Sequence, residues 1–166
     1  MYQLLRSLSS PILLVACAVT APAPAQCVAS GTAAFWQVTH PGCGTPSVLA
    51  ASANPILGTA IQLQVTNLPS SALLVGLEVI IPPTVPLPPT TTLYIYPLLA
   101  GCSNWVPNYD ELAANAVFGS SVNFYIAIPN NTAWIGLVLQ CQSAVASVGA
   151  SIDIEMSNSI CLFLGL

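Results

Sequence analysis

The apolar residues of this chain come in short runs with a two-residue rhythm, and that rhythm limits the fold before composition is considered. Ile61, Leu63 and Val65 alternate with Gln62, Gln64 and Thr66. Val122, Phe124, Ile126 and Ile128 alternate with Asn123 and Tyr125, and Ala150, Ile152, Ile154 and Met156 with Ser151, Asp153 and Glu155. Side chains of an extended strand point to opposite faces in turn, so each segment predicts a strand with one buried face. Segments 72–81, 92–96, 133–142 and 160–164 are more continuously apolar, as strands covered on both faces are. Residues 35–39 read as a further short strand. Asn67–Ser71 and Pro129–Asn131 read as hairpin connections, and Pro82–Pro89 as an extended proline-rich loop. Only Asp110–Val117, with acids at its start, reads as helix, and of one or two turns. The expectation is all-β: an antiparallel β-sandwich or jelly-roll-like barrel of about eight strands with little helix.

Charged residues make up 4% of the 166-residue chain, and the mean hydropathy is +0.79. A soluble domain ordinarily carries about 25% charge, so a membrane protein has to be considered. After Ala25, however, no apolar run reaches the roughly 18 residues of a spanning helix, and no membrane span is expected in the mature chain. The length suits one domain. Arg6 is the only basic residue beside five carboxylates. A chain without cations cannot release counterions from phosphates, which excludes nucleic acid. It has no polybasic patch for anionic lipid either.

Arg6 precedes the apolar run Pro11–Val19, which leads to Ala23-Pro24-Ala25. That order predicts a cleaved signal peptide over 1–25, then an N-terminal segment over 26–39 and the β-sandwich over 40–166. An alternative lies in Leu14-Val15-Ala16-Cys17, which resembles a lipobox and would lipidate Cys17. Either route leads to a secreted or cell-surface protein, where disulfides form. Cys27, Cys43, Cys102, Cys141 and Cys161 would remain, an odd number that leaves one free or bonded to another chain. None of them is spaced as zinc ligands are, and the sole histidine, His40, is near only Cys43, so disulfides are favoured over a metal site.

The order of short motifs adds a resemblance. Pro41-Gly42-Cys43-Gly44-Thr45-Pro46, Asn54-Pro55-Ile56-Leu57-Gly58 and Leu73-Leu74-Val75-Gly76-Leu77 are followed by Ala100-Gly101-Cys102, Ile126-Ala127-Ile128-Pro129-Asn130, Ile135-Gly136-Leu137 and Ser157-Asn158-Ser159. Over about residues 40–166, this series resembles a secreted β-sandwich domain that recurs in exported proteins of planctomycete-type bacteria. The resemblance implies fold and export, and a bridge between Cys43 and Cys102. It implies no catalytic residues. Cys141 and Cys161 form a second candidate pair because the last strands are expected to adjoin, which leaves Cys27 unpaired or intermolecular.

Residues able to carry chemistry are few. His40 sits in a Thr-His-Pro-Gly turn with no nucleophile elbow anywhere in the chain, so a structural or solvent-exposed role is expected. Asp110 and Glu111, opposed by Glu78 or Asp153, would be the only glycosidase-like pairing, but adjacent acids suit a helix start better. Asp153 and Glu155 share a strand face, where a solvated pair is more common than a calcium site. Trp36, Trp105 and Trp134, with Tyr94, Tyr96 and Tyr109, are the candidate platform for stacking a sugar. The reading is a non-catalytic protein without cofactor or metal, a structural or self-associating cell-surface or extracellular component. Its partner would be itself, as a homo-oligomer or fibre. The alternative is a module that binds extracellular carbohydrate or another ligand through exposed aromatics.

Overall fold

The structure, a computed structural model, describes Cys27 and residues 31–43, 47–81, 90–93, 96–106, 111–149 and 151–166. The leader with Arg6 and Cys17, the 82–89 loop, Tyr94, Tyr109 and Asp110 lie outside the described residues. The alternating segments are strands. In chain order they are β1 (Phe35–His40), β2 (Val48–Ala51), β3 (Ala60–Thr66), β4 (Ala72–Ile80), β5 (Thr92–Leu93), β6 (Tyr96–Pro97), β7 (Glu111–Ala116), β8 (Val122–Ala127), β9 (Val138–Val148), β10 (Ile152–Met156) and β11 (Ser159–Phe163). A single 3-10 turn, Thr132–Trp134, precedes β9.

Nine of these strands build two antiparallel sheets, as in a β-sandwich. The larger runs β1-β11-β9-β4-β7, with β10 beside the far half of β9. The smaller is β2-β3-β8, and β5 pairs β6 in a separate two-stranded ribbon. The long β9 is the spine: it pairs β4 along one side and β11 then β10 along the other. Between the sheets lie Leu49, Ile61, Leu63, Val65 and Phe124 from one and Val75, Leu77, Leu139, Cys141, Val145, Ile160 and Leu162 from the other. Each fully buried aliphatic side chain here contributes about 1.5–3 kcal/mol of transfer free energy.

The outer face of the large sheet is also covered in part, and this explains why β4, β9 and β11 lack clean alternation. Cys102, Ala144, Ile154 and Met156 form a second apolar cluster with Cys43, Leu93, Leu98 and Leu99. Val138, Cys161 and Phe163 form a third with Cys27 and Phe35.

Four local expectations are corrected. Glu111–Ala116 is strand β7, not helix, because its pairing with β4 from Leu74 to Val79 outweighs the helix preference of alanine. In place of one strand over 92–96, Thr92–Leu93 and Tyr96–Pro97 pair with each other as the β5–β6 ribbon. The strand expected over 133–142 begins only at Val138, after the 3-10 turn, and runs to Val148. Asn67–Ser71 and Pro129–Asn131 are not hairpin turns: β3 and β8 belong to the small sheet, while β4 and β9 belong to the large one, so both segments cross between layers. Turn residues mark a change of direction without saying which sheet the chain enters next.

Candidate functional site

Several of the buried polar side chains, His40, Glu78, Asn104, Gln142 and Ser159 among them, gather on the outer face of the large sheet. A bulge puts His40 there. Val38 pairs Ile160 and His40 pairs Ser159, so Thr39 is an extra residue that shifts the side-chain parity of β1. Trp36, before the bulge, packs against the inter-sheet core, whereas His40, after it, shares the outer face with Ser159. His40 Nδ1 lies 2.8 Å from Ser159 Oγ, which is also 2.7 Å from Thr39 Oγ1. The imidazole stacks on Trp105, ring centroids 3.9 Å apart and planes 10° from parallel. Burial holds its pKa below the ordinary imidazole value, and Nε2 has no hydrogen-bond partner.

Segment 103–106 lies over the same face and is held by side-chain amides. Gln142 Oε1 accepts from the Trp105 amide at 2.7 Å, and its Nε2 donates to the carbonyls of Ser103 at 3.2 Å and Ser157 at 2.9 Å. Gln140 Nε2 donates to the Trp105 carbonyl at 3.1 Å. Asn104 exchanges backbone hydrogen bonds with Thr90 and accepts from the Val106 amide at 2.7 Å. Glu78, cross-strand from Gln142, is fully buried among these groups. Burial raises its carboxyl to a pKa of about 8, which the Asn104 side chain offsets slightly, and neither carboxyl oxygen has a hydrogen bond of ordinary geometry. It is therefore held largely protonated at neutral pH.

The Cys43–Cys102 disulfide clamps this segment to the strip that follows His40, with Cα atoms 5.1 Å apart. It is the pair that the resemblance implies. The second bridge corrects the expected one: Cys27, not Cys141, joins Cys161, at a Cα separation of 5.8 Å. Cys141 pairs Ile160 while Cys161 pairs Gln140 on the adjacent strands. The two cysteines are thus neighbours in sequence register but face opposite sides of the sheet. Cys161 points outward to the amino-terminal segment; Cys141 points into the core, fully buried, with its thiol pushed up to about 12.

The sites expected from sequence are not brought together. Trp105 spends a ring face on His40. Trp36 and Trp134 pack against the inter-sheet core, on the other side of the large sheet, so the three tryptophans form no common platform. Glu111 pairs Val79 while Glu78 pairs Leu112, so the two acids are not cross-strand partners. Asp153 accepts from Ser151 Oγ at 3.0 Å. Among the described residues the His40–Ser159 contact is the one arrangement with a catalytic look, but Ser159 Oγ is fully buried and already engaged by Thr39.

Two surfaces remain open. Beyond the cover, cross-strand rows on the large sheet run Ala116–Leu74–Ala146–Ile154 and Ala114–Gly76–Ala144–Met156. Their uncovered part continues to Ile152, 66% exposed, and Leu74, 45% exposed, with Phe118, 96% exposed, just beyond β7. On the small sheet Gln62 pairs Tyr125 and Gln64 pairs Asn123, and these four face away from the core, Tyr125 being 74% exposed. No charged side chain occupies either group of residues. Comparison with protein-family models, curated proteins and solved structures finds no match for the chain.

Proposed function

We propose that the protein is a non-catalytic, exported structural component that associates with copies of itself. The observation that carries this reading is the uncovered apolar end of the large sheet, Leu74, Ala116, Ala146 and Ile152, next to strand β7. Among the described residues no strand pairs the outer edge of β7. Natural edge strands are usually blunted by charged side chains, lysine above all, by proline or by a bulge, and β7 has only Glu111 at its first position to serve in that way. Charged side chains normally keep such faces apart, and the described residues hold no Lys or Arg at all. Two disulfides on the outer face are compatible with an extracellular location, in keeping with the leader read from the sequence and the resemblance to planctomycete-type exported domains. No helix among the described residues is long and apolar enough to cross a membrane.

The contact between copies is non-covalent in this reading. Cys27 is bridged within the chain and Cys141 is enclosed. Sedimentation at low and high ionic strength, with and without reductant, tests it: a species larger than the monomer is expected in oxidised protein at every salt concentration. A monomer throughout overturns it.

Tyr125 supports a second reading. Its exposed ring and the outward amides of Gln62, Gln64 and Asn123 offer stacking and neutral hydrogen bonding, which is the chemistry of an uncharged glycan. Loss of glycan retention on Tyr125→Ala, with unchanged thermal stability, is the result that would favour it.

A further inference from the structure

Among the described residues Glu78 is the most anomalous group: a fully buried carboxyl with no hydrogen bond of ordinary geometry at either oxygen. A carboxylate in that position would meet no cation, and the Asn104 side chain offsets only a small part of its desolvation, so the closed structure favours the neutral acid. Segment 103–106 is tied down by the side chains of Gln140 and Gln142, by the backbone bonds of Asn104 to Thr90, and by the disulfide at Cys102. The row of Glu78 is next to the row of Gly76 and Ala114 on the open apolar face.

We infer that Glu78 is a proton-operated latch on segment 103–106: the segment closes over the neutral acid, and loss of its proton to water lifts the segment and places a negative charge beside the association face. This deepens the self-association reading and rests on it for the second of its two consequences. First, release is local, because Cys102 stays tethered to Cys43 while Asn104 and Trp105 move. Second, copies meeting across that face then carry like charges close together, and assembly weakens as pH rises through about 8.

Among the described residues, the other titratable groups do not compete for this role. β9 contributes Gln142 and no charge opposite Glu78, and segment 103–106 contributes none. On β7, Glu111 is the register partner of Val79, not of Glu78. On β10, Asp153 and Glu155 pair Ser147 and Val145, the parity of the core side. His40, behind Trp105, changes charge in the acid range.

The experiment is hydrogen exchange at the Trp105 and Val106 amides of the full oxidised protein, as protection factors corrected for intrinsic rate, from pH 6 to 9. Sedimentation of the same samples runs in parallel. Protection is expected to fall at least about tenfold in the wild type, since an acid neutral only in the closed state shifts opening by nearly its whole difference in proton affinity. Glu78→Gln, and Glu78→Met as a second neutral side chain, should hold protection within about twofold over the same range. Protection that is flat in the wild type, or that falls equally in both variants, overturns the latch. If protection falls as expected while the protein is a monomer at every pH, the latch stands and the self-association reading fails. If protection falls and a sedimenting assembly does not weaken, the regulatory consequence is overturned.

Discussion

The side-chain amide of Asn158 satisfies both backbone groups of Leu49. Its Oδ1 accepts from the Leu49 amide at 2.8 Å, and its Nδ2 donates to the Leu49 carbonyl at 2.9 Å. Leu49 is on edge strand β2 of the small sheet, and Asn158 sits at the break between β10 and β11 in the large one. A side chain thus takes the place of a neighbouring strand and joins the two layers. Asn158→Asp keeps the shape but loses the donor and buries a charge, and Asn158→Ala leaves both Leu49 groups bare. Each should destabilise by about 2–4 kcal/mol in chemical denaturation, with Asn158→Asp the worse above pH 5.

The same break has no room beside it. A Cβ on Gly42 would lie 2.8 Å from the Asn158 nitrogen and 2.9 Å from the Ser157 carbonyl carbon. Both are backbone atoms, so nothing flexible can yield. Gly42→Ala should lower stability by about 1–3 kcal/mol, and should disturb the Trp105 emission because His40 is two residues away.

Stability should depend on pH from both sides. Glu78 has a folded pKa raised to about 8, so the stability it allows is fully present below the ordinary carboxylate range and is lost as pH rises through about 8. The loss is on the order of 3–5 kcal/mol at most. His40 has a folded pKa lowered by burial, so its contribution is lost as pH falls below 6.5. A stability maximum in mildly acidic solution follows. Glu78→Gln should remove the alkaline limb alone, as read from denaturation midpoints between pH 4 and 9.

The two bridges should differ in cost. Cys27–Cys161 spans 134 residues and Cys43–Cys102 spans 59, for which loop-closure entropy gives upper figures of about 5 and about 4 kcal/mol. Cys27→Ser paired with Cys161→Ser, and the corresponding double variant of the other bridge, measure them. Cys141 should resist a thiol reagent in native protein and react only on unfolding, given its full burial and high pKa.

Association should depend on the open apolar face. Leu74→Lys and Ala116→Lys place a cation on it at positions that are exposed in the single chain. Both should shift sedimentation towards monomer by at least about tenfold in dissociation constant while leaving the far-ultraviolet dichroism intact. High salt should leave wild-type association unchanged or stronger, since it screens only repulsion.

Local pattern in the sequence was enough for the class of fold and for much of the core. Period two along 61–65 and 122–126 assigns Leu63 and Phe124 to one face without any knowledge of the partner strand, because alternation is a property of a single extended chain. The scarcity of charge and the place of Arg6 likewise need no coordinates. Whatever depends on which segments meet was decided by tertiary structure. Ala113–Ala116 carries a helical preference, but the edge of β4 offered it a ladder of hydrogen bonds. Cys141 and Cys161 lie on adjacent strands, yet a one-residue difference in register sends one into the core and the other out to Cys27. His40 reaches Trp105 only because Thr39 is an extra residue in β1, and Glu78 lost its solvent to a segment some 25 residues further along the chain. Parity and register between strands have no signature within either strand, so the face on which a side chain finally stands is settled only when the sheets close.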